Sequence, residues 1–175
     1  ARHRFGVGGV TGFPGARTYE ALGSLVLEAF REWGRHGEHP ELEHVPFIFT
    51  GSSNAGVFSF AMMMRAPERT ICITPNVGPY YKGHIDDKTR GVPAWMHIGT
   101  SDPLFPHGFE KTRALFDEHA PERALWTWEA EMKGHENGAS DHVDLAYWEA
   151  LIPMRLPEGE TERADSVMLN PIRTS

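Results

Sequence analysis

The chain has a single cysteine, Cys72, among its 175 residues. It can therefore form no internal disulfide and no cysteine-built zinc site. Cys72 lies in the apolar run "TICITP", where a small buried hydrophobe is its expected role. Clusters of basic residues are also missing. Lys and Arg are scattered among Asp and Glu, and the net charge of −7 argues against a nucleic-acid partner, which would need a basic face. No stretch approaches the roughly 18 apolar residues of a membrane span, and no signal peptide is visible. Repeats and low-complexity segments are absent. The opening "ARHRFGVGG" does not read as a natural initiation site, so a trimmed or incomplete N-terminus is expected.

What is present is the composition of one ordinary globular domain, with 40% hydrophobic and 23% charged residues. We expect that domain over residues 1–157 and a polar tail over residues 158–175. "HRFGVGGV" reads as a strand entering a loop, and "TGFPGAR" as a turn. An amphipathic helix is predicted over residues 18–33, with Leu22, Leu25, Val26, Ala29, Phe30 and Trp33 on its inward face. Residues 45–50 read as a strand buried on both sides. The run "AGVFSFAMMMR" (55–65) is apolar all round, as in a helix packed deep in a core. Further strands are expected at 69–75, 93–99 and 123–132, and further helices at 109–119 and 143–151. "NVGPYYKGHIDDKTRG" is predicted to be a long loop.

Buried strands alternating with helices predict a mostly parallel sheet with helices on both faces. Ligands on such sheets bind beyond the carboxyl ends of the strands. "GSSNAG", "GTSDPLFP" and "KGHENG" each follow a strand and should therefore share one edge.

The first of these has the form of a sharp strand-to-helix turn. Such a turn needs small residues two before and two after its apex, as in G-x-S-x-G. With Ser53 at the apex those positions are Gly51 and Ala55. With Ser52 they would be Thr50 and Asn54, both too large. Ser53 is the candidate nucleophile. A serine hydroxyl needs a base, and the base an orienting acid. Asp102, past the third strand and stiffened by Pro103 and Pro106, is the candidate acid. His135, in "MKGHENG", is the candidate base. Ten histidines are present, and His142 in "SDHVD" is the rival; His84 and His107 fall in loops on the same edge. No metal site is expected, because Gly37 and Pro40 break the helix that His36 and His39 would need, and a third ligand is not evident.

"FTGSSNAG", "MHIGTSDPLFPH" and "KGHENG" together resemble the nucleophile elbow, acid loop and histidine loop of the α/β-hydrolase superfamily, in the right order. The stretch from about Arg4 to Leu151 looks like the later portion of that fold, with the N-terminal strands expected to be absent from this chain. It is most similar to esterases of the feruloyl-esterase, polyhydroxybutyrate-depolymerase and dienelactone-hydrolase kind. The resemblance implies a serine esterase that uses Ser53, His135 and Asp102, forms an acyl-enzyme and requires no cofactor. It implies an oxyanion donor in the Asn54 amide, and a substrate wall from Tyr80 and Tyr81 where this fold grows a lid. The implied partner is a small-molecule or polymer-borne ester, and secretion or a periplasmic location follows from the resemblance alone. A cofactor-free haloperoxidase or lyase, or a non-catalytic binding protein on the same scaffold, are the alternatives.

Overall fold

The four segments expected to be extended form four strands. They are β1 (Phe47–Ser52), β2 (Thr70–Asn76), β3 (Ala94–Gly99) and β4 (Trp126–Glu131). The structure is a computed structural model that describes residues 16–77, 85–105, 107–119, 121, 124–136 and 141–156. The strands form one sheet in the order β1-β2-β3-β4, and every neighbouring pair is parallel. Connections between parallel strands must cross back over a face of the sheet. Helices α1 (Ala16–His36), α2 (Asn54–Arg65), α3 (Asp87–Arg90), α4 (Gly108–His119) and α5 (Asp141–Arg155), with short 3-10 turns at Pro40–Glu43 and Pro67–Arg69, are the remaining described elements. The mostly parallel α/β sheet expected from the sequence is present. The "HRFGVGGV" strand, the "TGFPGAR" turn and the tail beyond residue 157 lie outside the described residues.

Side-chain alternation along the strands divides the interior into two layers. On one face Ile73, Ala94, Met96 and Trp126 pack with Val57, Phe60, Ala61 and Met63 of α2 and Leu115 of α4. On the other, Ile71 and Cys72 pack with Leu151 of α5, backed by Tyr147 and Trp148. Burial pushes the Cys72 thiol up to about 12, which agrees with its reading as an inert hydrophobe. Helix α2 is buried along most of its length, and Met62 and Met63 are fully enclosed.

Four local expectations need correction. The strand at residues 45–50 was read as buried on both sides, but β1 is half-buried, with Thr50 and Ser52 exposed. Among the described residues β1 has a strand partner on one side only. The inward face of α1 is also rotated from the expected one. Tyr19, Gly23 and Gly34 are buried, whereas Leu22, Leu25 and Trp33 are 42%, 65% and 67% exposed. Gly23 lies where α1 comes close to α2: an added Cβ there would stand 2.9 Å from Met62 Sδ. Glycine counts for nothing in an apolar pattern, yet here it lies on the buried side of α1 facing α2. Val26 and Phe30 stay half-buried, and Phe30 meets Phe47 edge-on at 5.0 Å.

Part of the predicted long loop folds as α3. Asp86 caps it, with Oδ1 accepting from the Thr89 amide at 2.9 Å and the Thr89 hydroxyl at 2.8 Å. Helix α5 runs past Leu151 through Pro153 to Arg155, although proline removes one intrahelical donor. The extra turn is tied down by Arg155, whose Nη2 donates to the buried Thr70 carbonyl at 3.0 Å, and by the Leu156 amide donating to Ile152 at 2.9 Å.

The rotated α1 face makes a test. Met63→Ala should cost about 2–5 kcal/mol by cavity formation, seen as a lower urea midpoint at unchanged slope. Leu25→Ala should cost less than about 0.5 kcal/mol. A large loss at Leu25 would put that side chain inside.

Candidate active site

Because all four strands point the same way, the segments that follow them meet at one edge. Ser52 ends β1 and Ser53 is the turn, with φ 59° and ψ −122°. That conformation lies in the region L-residues rarely adopt, at a cost of about 1–3 kcal/mol. Only Ser53 of the two serines has a positive φ. The steric reading of the turn is visible in the coordinates. A Cβ on Gly51 would stand 2.5 Å from Ala55 Cβ and 2.8 Å from its carbonyl carbon. The Ser53 amide donates to the Asn76 carbonyl at 2.9 Å, which pins the apex to the end of β2. A second strained residue, Val77 at φ 39°, follows directly, held by its amide on the His97 carbonyl at 2.9 Å.

Asn54 opens the 12-residue helix α2. First-turn amides have no intrahelical acceptor, and the helix dipole makes this end attractive to negative charge. The Asn54 side chain is fixed by Tyr19, whose hydroxyl donates to Oδ1 at 3.1 Å. Burial raises the Tyr19 phenol above its ordinary value, so at neutral pH it remains a donor.

The acid and base candidates are brought together. Asp102 Oδ2 lies 2.7 Å from His135 Nδ1. The other carboxylate oxygen accepts from the Leu104 and Phe105 amides at 2.9 and 3.3 Å, so the aspartate is held at both ends. Its side chain is 6% exposed and that of His135 20%. The Phe105 ring lies against the imidazole at 5.2 Å. Beyond the strands, the Thr100 amide donates to Glu131 at 2.9 Å and the Ser101 amide to Lys133 at 3.1 Å. This rung-by-rung extension carries the two loops side by side as far as the Asp–His pair. Gly99 permits it, since a Cβ there would fall 2.2 Å from the Gly134 carbonyl oxygen.

Ser53 stands on the same edge, but no hydrogen bond joins it to His135 among the described residues. Tyr80, Tyr81 and His84 lie outside the described residues, and so does the side chain of His142. His107 is exposed in the turn before α4. A cavity of about 300 Å³ opens beside the end of β1, lined by Thr50, Gly51, Ser52, Asn76, Asp144, Leu145 and Trp148. Sequence reasoning missed Gly99, Phe105 and Tyr19. "IGT" and the two prolines around Phe105 carried a hint of the first two; nothing marked Tyr19.

No family model matches the chain, and no curated protein matches its sequence. Its fold does match solved structures. A Bacillus cereus carboxylesterase superposes with a TM-score of 0.60 at 13% identity, over 85% of this chain and 66% of that one. SOBER1 of Arabidopsis thaliana gives 0.54 at 17%, over 85% and 68%. Acyl-protein thioesterase 2 of Zea mays gives 0.52 at 12%, over 77% and 64%. The chain thus spans about two thirds of the length of these proteins. The fold is of the α/β-hydrolase type, as the resemblance in the motifs implies.

Gly99→Ala tests the close approach of the two loops. The variant should lose about 1–3 kcal/mol through overpacking. It should also lose the low-field proton NMR resonance expected from the Asp102–His135 hydrogen bond. An unchanged resonance would show that the pair does not depend on this contact.

Proposed function

We propose that the chain carries the reaction centre of a serine hydrolase that cleaves carboxylic esters. The observation that carries this reading is the strained Ser53 apex on the same sheet edge as a buried, doubly anchored Asp102 paired with His135. Strain of this kind persists only where surrounding structure enforces it, and it concentrates at functional sites. The esterase and thioesterase named among the fold neighbours point the same way.

In this reading Ser53 Oγ attacks the ester carbonyl while His135 Nε2 takes its proton. Asp102 accepts from Nδ1–H, which fixes the tautomer and stabilises the imidazolium as it forms. The Asn54 amide at the head of α2 donates to the developing oxyanion. The imidazolium then protonates the leaving alcohol, and the acyl group remains on Ser53. Water, deprotonated by the same imidazole, releases the acid. Contacts between nucleophile and base commonly tighten only when substrate is bound, so the open Ser53–His135 contact is compatible with this route. Each step uses the chain's own residues, and the ester is the substrate class. Tyr80 and Tyr81 remain candidates for the wall that receives its acyl or phenolic part.

A fluorophosphonate probe tests the assignment on the full-length protein. Labelling should map to Ser53, vanish in Ser53→Ala and persist in Ser52→Ala. Asp102→Asn should slow ester turnover by about 10³–10⁴-fold. Labelling that survives Ser53→Ala but is lost in Ser52→Ala would overturn the apex assignment. An intact protein that never labels would overturn the esterase reading.

A further inference from the structure

A second cluster lies on the sheet face opposite α2. His97 of β3 pairs in register with Glu129 of β4, and Gly99 with Glu131. Side chains two apart on a strand share a face, so His97, Glu129 and Glu131 point the same way. One ligand atom from each lies within 4.8 Å of the others. His97 is 1% exposed, and its Nδ1 is buried without a hydrogen bond. Glu129 Oε2 stands 3.5 Å from that nitrogen. On the far side of the ring, Nε2 faces Asp144 Oδ1 of α5 at 3.4 Å, and the Trp95 indole stacks on the imidazole at 5.7 Å.

A buried imidazole nitrogen turned toward two carboxylates, with its other nitrogen on a third, is the arrangement that metal-bound histidines adopt. The outer carboxylate holds the N–H and leaves the inner lone pair free. We infer that His97 Nδ1, Glu129 and Glu131 form a binding site for a divalent transition ion of the zinc class. An imidazole beside two carboxylates favours zinc over magnesium or calcium, which prefer all-oxygen shells. Bond lengths of about 2.0–2.2 Å require the three donors to draw together. The Glu129 side chain is 44% exposed and free enough to do so. Lys133 is the built-in competitor, because its ammonium pairs with Glu131 where the cation would bind.

The site would join β3 to β4 just before the segments that carry Asp102 and His135. Its binding does not depend on ester hydrolysis, so it stands or falls separately from that reading.

The test is a Zn²⁺ titration of the chelator-stripped full chain against a chromophoric competitor. Thermal unfolding and ¹⁵N imidazole spectra are followed alongside. The expected result is one site that raises Tm and moves a single imidazole resonance. That site should be lost in the Glu129→Gln, Glu131→Gln double variant, with affinity falling more than about 100-fold, beyond the loss from outer partners alone. Both positions are on the accessible side of the cluster, which spares the buried histidine and the fold. Lys133→Gln should tighten Zn²⁺ binding. The inference is overturned if the double variant keeps its affinity within about threefold. Equal binding of Mg²⁺ at the same site, or no saturable Zn²⁺ binding to the wild type, would also overturn it.

Discussion

The common direction of the four strands is the constraint on which the rest depends. In an antiparallel sheet the strand ends would alternate between two edges, and the connections would be divided between them. Here each crossover returns the chain to the same starting edge. Ser53, Asn76, Asp102 and His135, scattered through the sequence, therefore lie at one edge of the sheet. The sheet also supplies the anchors for its own distortions: the apex at Ser53 hangs from the last carbonyl of β2, and Val77 hangs from β3. Strain at one strand end is held by the hydrogen bonds of the next.

Close approach of neighbouring segments is the second theme, and three glycines mark it: Gly51 and Gly99 against backbone, Gly23 against the Met62 side chain. Gly51 admits the start of α2, Gly99 admits the loop of His135, and Gly23 admits α2 against α1. In each case the missing Cβ would otherwise occupy space filled by a neighbouring chain segment. The first two shape the candidate site, and the third lies on the side of α1 that faces α2. Substitution at these positions would therefore act through backbone geometry more than through lost contacts.

Much of this was legible in the sequence because the signals were local. Apolar runs bounded by glycine and proline marked the four strands and α2, and small-residue spacing marked Ser53 as the apex. Position after a strand singled out Asp102 and His135, which the fold does bring within hydrogen-bond distance. What escaped was set by contacts between distant segments. Leu22, Leu25 and Trp33 satisfied the helical period, yet the fold leaves them exposed and buries Tyr19, Gly23 and Gly34 instead. The helix expected over residues 143–151 runs on to Arg155, whose hydrogen bond to Thr70 holds the extra turn. His97, Glu129 and Glu131 become neighbours only through the register of β3 and β4, which no reading of either strand alone contains.

That same Arg155 has a consequence for how the chain is made. The residue is 5% exposed, and its guanidinium donates to the carbonyl of the first residue of β2, Thr70, from 85 positions downstream. Contacts of such separation form late, after the loop entropy between them has been spent. During synthesis the sheet can assemble from β1 through β4 before the Arg155 contact exists. The face that α5 covers, with Ile71 and Cys72, stays open until the last helix emerges. A nascent chain paused before residue 155 would thus expose an apolar surface of the kind that chaperones recognise.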